Sequence, residues 1–320
     1  MTNDLLHDFI DIFRKDRLQT LIVFVTSRCN LKCAFCCYKD SLNSGADMPL
    51  ENFAKMALSV PRLKSLLISG GEPFLRSDLG AILSLFIKHC AVRFISISTN
   101  GYFTERTEAA LEDFLEKEKE VFLTVTVSLD GAKATHDAIR GVPGAYERAA
   151  ATLDRLFRLR DKYSNMRVVI NTVACAANKD ELESWADFVR DNFPVDYHNM
   201  ELVRVGMPRL DAVAGIKEIT GKFSAVYNRV SRHYTSRSSG KFYPFISSGL
   251  ARLLTRAFDA QRLKIYSDLV LRGKPWPFLC LAGKTISVAD ADGDFRACEL
   301  RPVVCRLQDH GFSVTAAAAA

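Results

Sequence analysis

Six short β-rich runs alternate with stretches of helical periodicity over the first two thirds of the chain. Strands that alternate with helices form parallel sheets, whose crossovers are right-handed. The sequence therefore predicts an α/β fold, and the pattern leaves open whether the sheet stays open or curls into a partial barrel. The predicted strands are 21–26, 65–70, 92–99, 121–128, 167–173 and 199–205, and the predicted helices are 49–60, 77–89, 104–118, 144–162 and 178–191.

The alternation stops after residue 206, where the character of the sequence changes. Residues 211–272 are helical and basic in pattern, and a segment containing Gly and Cys follows from 280. This change predicts a boundary near 275. The expected organisation is an N-terminal helix over 1–19, an α/β core over 20–210, a basic helical connection over 211–275 and a small C-terminal domain over 276–320.

The composition is that of a soluble globular protein, with 48% hydrophobic and 25% charged residues. Apolar runs such as "LIVFV" fall well short of the ~20 residues that cross a bilayer. The N-terminus carries acidic residues and does not resemble a signal peptide. Nine cysteines, an odd and clustered set, do not suggest a disulfide framework. We therefore expect a cytoplasmic protein whose thiols stay available for metal.

Positive charge is concentrated in the basic connection. Between 221 and 275 there are eleven Lys and Arg against two acids, Asp259 and Asp268. Such a bias suits an anionic substrate, a nucleic acid or a lipid headgroup, and it equally suits the solvated faces of a few helices.

Unusual residues lie at the carboxyl ends of the first five predicted strands, where parallel α/β folds bind ligands. Several loops therefore contribute to one site. They carry the cysteines after the first strand, Gly70-Gly71-Glu72-Pro73 after the second, Thr99-Asn100-Gly101 after the third, Ser128-Leu129-Asp130-Gly131 after the fourth and Asn171-Thr172 in the fifth.

The first of these loops has the spacing C-x3-C-x2-C at Cys29, Cys33 and Cys36. Thiolates at this spacing can hold three corners of an iron–sulfur cubane and leave one iron open. A structural zinc site is the main alternative, and it needs four ligands, normally in two separated pairs. Cys37 is the adjacent fourth thiol, and two neighbouring thiols suit one tetrahedral ion poorly.

The next loops offer hydrogen-bonding groups and close backbone approach. Gly70 and Gly71 would let the backbone approach a ligand, and Glu72 can accept hydrogen bonds from an ammonium group. Ser128 and Asp130 could bind hydroxyls or an amine. A simple turn at Gly70–Glu72 and a helix start at Ser128 are the structural alternatives.

Arg140 in "HDAIRG" could bind a carboxylate through two parallel hydrogen bonds. A surface ion pair with Asp137 or Glu147 would explain it equally well. The sequence alone leaves both open.

Taken together, these motifs resemble the radical S-adenosylmethionine (SAM) superfamily. The resemblance covers about residues 20–205 and rests on the cysteine loop, "GGEP", "TNG", "SLDG" with "HDAIRG", and "NTV", in that order. It implies a partial (β/α)6 barrel, in agreement with the six predicted strands. It also implies that Cys29, Cys33 and Cys36 bind a [4Fe–4S] cluster whose open iron chelates SAM. The residues that the resemblance would place around SAM or the substrate are Gly70, Gly71, Glu72, Asn100, Ser128, Asp130, Arg140, Asn171 and Val173.

In finer detail, the resemblance sets Gly70, Gly71 and Glu72 at the SAM amino group, and Ser128 and Arg140 near its carboxylate. Asn100 and Asp130 would line the ribose or substrate side, with Asn171 and Val173 near the adenosyl group. A one-electron donor such as flavodoxin or ferredoxin would reduce the cluster. The resulting 5′-deoxyadenosyl radical would abstract hydrogen from an unactivated C–H bond.

A second cysteine group lies near the C-terminus. "ISVADADGDFRAC" predicts a hairpin with Asp292-Gly293 at the turn, which would bring Cys280 and Cys298 together. This resembles the start of the twitch and SPASM domains, and implies an auxiliary [4Fe–4S] cluster. Cys305 is the remaining candidate for a third ligand, because the further cysteines of that pattern are missing. A hairpin with incidental thiols is the alternative.

The function favoured by the resemblance is oxidation of a small metabolite, and the basic connection is compatible with an anionic one. Oxidation or cross-linking of a ribosomally made peptide is an alternative, although only about 20 residues precede the first strand. Epimerisation or rearrangement without net oxidation is another. A zinc-containing module that binds nucleic acid is the alternative from a different functional class.

Overall fold

The computed structural model describes residues 17–45, 47–204, 215–237 and 248–319. The N-terminal helix expected over 1–19 lies almost wholly outside this part of the chain. Two stretches after the sixth strand, 205–214 and 238–247, also lie outside it. All six predicted strands are present. They are β1 (Thr20–Thr26), β2 (Ser65–Gly70), β3 (Phe94–Thr99), β4 (Phe122–Ser128), β5 (Met166–Ala174) and β6 (Tyr197–Leu202), followed by β7 (Ile286–Ala289), β8 (Asp294–Arg296) and β9 (Val303–Arg306).

These strands form one sheet in the order β6-β5-β4-β3-β2-β1-β7-β8-β9. Every pair from β6 to β7 is parallel, and the last two pairs are antiparallel. The parallel core with helical crossovers confirms the predicted α/β class and has the architecture of a partial TIM barrel.

Helices connect the parallel strands and cover the outer face of the sheet. In Leu79–Cys90, for example, the buried residues recur every three or four positions, which gives one apolar face. The helices are α1 (Leu50–Ser59), α2 (Leu79–Cys90), α3 (Thr104–Lys117), α4 (Lys133–Arg140), α5 (Ala145–Lys162), α6 (Leu182–Asn192), α7 (Ile216–Arg237), α8 (Ser248–Tyr266) and α9 (Val314–Ala319). No helix in the described ranges is long and apolar enough to cross a bilayer.

Two helices differ from the sequence prediction. The short helix α4, within "HDAIRG" and its flanks, was not predicted. Helix α6 begins at Leu182 rather than 178, because Asn178 is buried in the preceding turn. Its side chain accepts from the amide of Cys175 and donates to the carbonyls of Asp130 and Val173. These bonds fix a loop where helical periodicity suggested a helix.

The inner face of the sheet is divided between apolar and polar side chains. Around β1 and β7 it is apolar, with Ile22, Phe24 and Val288 in one buried cluster. Toward β3–β6 the inward positions are polar instead, and they line the cavities described below. These positions are Ser96, Ser98, Thr124, Thr126, Ser128, Asn171 and Asn199.

The C-terminal strands continue the core sheet. β7 pairs parallel with β1, with Val288 opposite Ile22, and the predicted hairpin turn at Gly293 joins β7 to the antiparallel β8. Helix α9 then packs on α1, where the amide of Val314 donates to Ser59 Oγ at 2.9 Å. One sheet therefore contains strands from both sides of the boundary expected near 275. The division into a core and a separate C-terminal domain stays a prediction.

Candidate functional site

The four cysteines after β1 line a cavity of about 450 Å³ at the carboxyl ends of the strands. Cys29, Cys33 and Cys36 are partly buried, whereas Cys37 is exposed. Burial raises the pKa of the Cys36 thiol to about 11, so this thiol is protonated at neutral pH. A metal that bound here would therefore release a proton.

The cysteine sulfurs are not gathered as the ligands of one ion. Four thiolates around zinc lie roughly 3.8 Å apart, as follows from a Zn–S distance near 2.3 Å. We looked among the described residues for three His, Cys, Asp or Glu side chains whose ligand atoms all lie within 4.8 Å of one another. The only such group is Asp290, Asp292 and Asp294. The geometry therefore does not support the zinc alternative at the first cysteine loop.

The cysteine loop is held by backbone hydrogen bonds to the end of α4. The amide of Lys32 donates to the carbonyl of Arg140, and the amide of Ala34 donates to that of Ile139, both at 3.0 Å. On the other side, Asn43 accepts from the amide of Cys29 at 3.0 Å. These bonds hold the backbone of the cysteine loop against α4 and Asn43.

The two glycines of "GGEP" pack against the first residues of the same loop. A Cβ on Gly71 would overlap the carbonyl oxygen of Arg28, and one on Gly70 would lie 2.5 Å from that of Thr26. Gly70 also has a φ of +120°, which other residues rarely adopt. We expected this backbone to approach a ligand; what it approaches most closely is its own chain. Both glycines also line the cavity.

Glu72 lies behind the cavity wall. Its carboxylate accepts from Thr99 Oγ1 at 2.8 Å, from the amide of Asn100 at 2.8 Å and from the amide of Phe74 at 3.2 Å. Burial raises its pKa to about 7 despite these donors. Glu72 therefore joins the second and third strand loops, and it is not among the residues that line the cavity.

Asn100 does line the cavity. Its Nδ2 donates to Asn30 Oδ1 in the cysteine loop at 3.0 Å, and its Oδ1 accepts from the amide of Tyr102 at 2.9 Å. The "TNG" loop is therefore bonded both to the cysteine loop and, through Glu72, to "GGEP". Three of the predicted loops form one connected unit.

Arg140 projects from the last turn of α4 into the cavity wall. Its Nη2 lies 2.7 Å from Asp130 Oδ2, its Nη1 lies 3.5 Å from Cys33 Sγ, and its guanidinium lies 5.6 Å from the Phe35 ring. Its side chain is only 8% exposed, so the surface ion pair considered from the sequence is wrong. Asp130 is fully buried and is not among the residues that line the cavity, and its expected place at the ribose or substrate side stays a prediction. Its other oxygen accepts from the amide of Val173.

Ser128, Asn171 and Val173 line the same cavity, and their expected positions around SAM stay predictions. Asn171 Oδ1 accepts from Asn199 Nδ2 at 2.6 Å. Asn199 itself was missed by the sequence analysis. The hydrogen bond ties the end of β5 to that of β6.

The lining residues that carry no motif and were missed include Asn199, Glu201, Arg204 and Glu299. Glu201 and Arg204 form an ion pair at 3.0 Å, and burial raises the pKa of Glu299. The polar residues at alternate positions of β6 were a usable signal for the first two, because alternate strand residues share a face. Glu299 reaches the cavity from the loop after β8, which no local pattern indicates.

The segments that carry the second cysteine group are joined by a backbone hydrogen bond. The amide of Gly283 donates to the carbonyl of Ala297 at 3.2 Å, which joins the segments that carry Cys280 and Cys298. Cys305 lies opposite Phe295 in the β8–β9 pair, so both side chains face the core. Its sulfur lies 3.9 Å from the carbonyl oxygen of Ala317.

Residues 23–189, more than half of the chain, match the sequence profile of the radical SAM superfamily. The chain belongs to the radical SAM superfamily. The superfamily implies a [4Fe–4S] cluster and SAM. This interpretation replaces that of a zinc-containing module that binds nucleic acid.

Several curated radical SAM relatives resemble parts of the chain. Pre-heme d1 synthase of Dinoroseobacter shibae is 38% identical over 134 residues, which are 40% of this chain and 30% of that protein. Fe-coproporphyrin III synthase of Methanosarcina barkeri is 37% identical over 143 residues, 43% of this chain and 33% of the relative. A probable GTP 3′,8-cyclase of Methanocella arvoryzae is 30% identical over 179 residues, 54% of each. The matches thus span between 30% and 54% of the length of these relatives.

Solved radical SAM structures share the fold over most of the chain. Native anSMEcpe with bound AdoMet has a TM-score of 0.60 at 18% identity, and the match covers 91% of this chain and 78% of that one. Streptococcus suis SuiB bound to its precursor peptide SuiA has a TM-score of 0.58 at 16% identity, with 92% and 63% covered. Identities this low establish the fold alone.

We predict that Gly71→Ala destabilises this radical SAM core by on the order of 2 kcal/mol, because the new methyl must displace the backbone of Arg28. Gly80→Ala is the matched control: Gly80 lies in the first turn of α2 with nothing within 4 Å of its virtual Cβ. That change should be neutral or stabilising by up to about 1 kcal/mol. Urea unfolding measures both, and equal stability of the two variants would contradict the close approach.

We predict strong coupling between Asp130 and Arg140. Asp130→Asn and Arg140→Gln should each lower the free energy of unfolding by about 3–5 kcal/mol, because each leaves a buried charge without its partner. The double variant should lose clearly less than the sum. Lys117→Gln, which breaks an exposed pair with Asp113, should cost at most about 1 kcal/mol. Additive losses in a urea-unfolding cycle would refute the coupling.

Proposed function

We propose that this radical SAM enzyme removes a hydrogen atom from an unactivated C–H bond of a small metabolite and thereby oxidises it. The observation that carries the proposal is the sharing of one cavity by two sets of residues. Cys29, Cys33 and Cys36 form one set, and the other consists of polar groups from four further loops: Gly71, Asn100, Ser128, Arg140 and Asn171.

The residues present fit a cluster bound by three thiols. The three cysteines face one cavity, and two buried donors beside them, Arg140 Nε and Asn30 Nδ2, have no hydrogen-bond partner. Donors of this kind suit sulfur acceptors and the carboxylate of a bound amino acid. We assign Cys29, Cys33 and Cys36 as the ligands of the [4Fe–4S] cluster.

When bound and reduced, the cluster and SAM together supply a 5′-deoxyadenosyl radical and methionine. The protein's own part is to hold and shield the reactants. Arg140, fixed by Asp130, presents positive charge to the SAM carboxylate, and Ser128 and Asn171 offer hydrogen bonds to the polar groups of SAM. The apolar half of the inner face, around Phe24 and Val288, helps to exclude water from the radical.

The overall conversion is balanced if the substrate loses one hydrogen atom to 5′-deoxyadenosine, one electron to an acceptor and one proton to solvent. We propose an auxiliary [4Fe–4S] cluster as that acceptor, with Cys280 and Cys298 as ligands in the predicted C-terminal domain 276–320. The hydrogen bond from Gly283 to Ala297 supports this, because it joins the two cysteine segments. A flavodoxin- or ferredoxin-like protein in the cytoplasm would supply the initial electron.

A small-molecule substrate is favoured by the relatives with the higher identities. They are named as synthases of tetrapyrroles and as GTP cyclases. A peptide substrate has specific but weaker support, since the similar SuiB structure holds a precursor peptide at 16% identity. SAM consumed in proportion to product indicates oxidation, whereas regenerated SAM indicates epimerisation or rearrangement.

The assignment of the first cluster is tested by two neighbouring cysteines. Anaerobically purified wild-type protein should contain iron and labile sulfide, and should form 5′-deoxyadenosine from SAM and dithionite. Cys36→Ala should lose this activity and part of the iron. Cys37→Ala, the matched control next to it, should retain both. Zinc without labile sulfide in the wild type, or loss of activity in Cys37→Ala, would overturn the assignment.

The auxiliary cluster is tested by the C-terminal cysteines. Cys298→Ala should lower the iron content while the SAM-dependent change in the electron paramagnetic resonance spectrum of the first cluster persists. Cys305→Ala is the control, because the Cys305 thiol faces the core and Ala317. A fall in iron for Cys305→Ala would make it the third ligand, and unchanged iron for Cys298→Ala would refute the auxiliary cluster.

A further inference from the structure

A second cavity, of about 400 Å³, lies along the inner face of the sheet toward the amino ends of β4–β6. It shares three wall residues with the first cavity: Ser96, Thr126 and Asn199. The two cavities are therefore adjacent along the same polar face. A molecule whose reacting end lies near the cysteine loop could extend into the second cavity.

Helix α8 forms the opposite wall of this second cavity through Thr255, Phe258, Asp259 and Arg262. The helix is anchored by Asp259, whose buried carboxylate accepts from Tyr227 Oη at 2.8 Å and Tyr197 Oη at 3.2 Å, and from Ser231. Because its oxygens are engaged by hydroxyl groups, Asp259 fixes α8 against β6 and α7. This anchoring sets the position of Arg262, one turn further along.

Two guanidinium groups face the second cavity from opposite walls. Arg167, on β5, donates through Nε to Thr124 Oγ1 at 2.7 Å and lies 5.6 Å from the Phe122 ring. Arg262, on α8, lies over the Tyr227 ring and reaches Asn199 Oδ1 only at 3.5 Å. Arginine remains charged at any physiological pH. Among the described residues that line this cavity, two side chains are therefore positively charged and one, Asp259, carries a carboxylate.

Arg262 differs from other basic residues of the 221–275 segment. Lys222 and Arg229 pair with acids of the preceding loop and α6, namely Asp180 and Asp187. Three others pair with Asp268: Lys264, Arg272 and Lys274. Five of the eleven basic residues thus pair with carboxylates, whereas Arg262 lines the second cavity.

We propose that the second cavity is a subsite for an anionic group of the substrate, a carboxylate or a phosphate, bound between Arg167 and Arg262. The planar donor fork of arginine matches both groups. Ser96, Thr126 and Asn199 supply neutral hydrogen-bonding groups along the connecting wall. The inference rests on the proposed function, because it places the reacting end of the same molecule in the first cavity.

The test is calorimetric titration of the anaerobically purified holoprotein with inorganic phosphate and, separately, with acetate, without SAM or reductant. Arg262→Gln and Arg167→Gln should each weaken binding of the preferred anion about tenfold or more. Arg256→Gln, an exposed arginine of α8 that does not line the cavity, should bind as the wild type does. Preference for phosphate or for acetate distinguishes the two anionic groups.

Arg262→Lys distinguishes the loss of an anion-binding group from a disturbance of the structure. It retains the charge but not the fork, so its binding should lie between those of the wild type and Arg262→Gln. The absence of saturable binding of either anion to the wild type would overturn the subsite. So would equal weakening by Arg256→Gln and Arg262→Gln.

The proposed radical chemistry is measured separately, as 5′-deoxyadenosine formed by the wild type with SAM and dithionite. Anion binding that depends on the two arginines, without 5′-deoxyadenosine, would retain the subsite and reject the radical function. 5′-Deoxyadenosine without anion binding would do the reverse.

Discussion

The arrangement of the site depends on the last turn of α4. The carbonyls of Ile139 and Arg140 accept the amides of the cysteine loop, and the Arg140 side chain spans the distance from Cys33 to the buried Asp130. Asp130 in turn accepts from the amide of Val173 in β5. One eight-residue helix therefore fixes the thiols relative to the fourth and fifth strand loops. Without the Arg140–Asp130 pair, two buried charges would remain, at a cost that a loop of this size could not offset.

A second unit joins the other half of the site. Glu72 accepts hydrogen bonds from Thr99 and from the amide of Asn100, and Asn100 bonds to Asn30 in the cysteine loop. The cysteine loop is thus held from both sides, by "GGEP" with "TNG" and by α4. Rigid positioning of this kind suits a site whose reactive species must be kept from water and from its own protein.

The elements that recur in sequence could be predicted, and those that depend on long-range contacts could not. The six strands and the convergence of their loops followed from alternation alone. The role of the glycines did not, because only the structure shows that Gly71 meets Arg28. The burial of Asp130 depended on its pairing with Arg140, ten residues away in sequence. Arg262 could not be told apart from its basic neighbours until α8 was placed against the sheet.

The distribution of charge along the inner face explains how such a site could hold a polar molecule without charging its reacting region. In the first cavity, Arg140 is paired with Asp130 and Arg204 with Glu201, and Glu299 adds a carboxyl group whose pKa is raised by burial. The wall between the two cavities carries hydroxyl and amide groups. Among the described residues that line the second cavity, two guanidinium groups, those of Arg167 and Arg262, accompany one carboxylate, that of Asp259. A substrate anchored there by its anionic group would then present its C–H bond to a region in which Arg140 and Arg204 already have carboxylate partners.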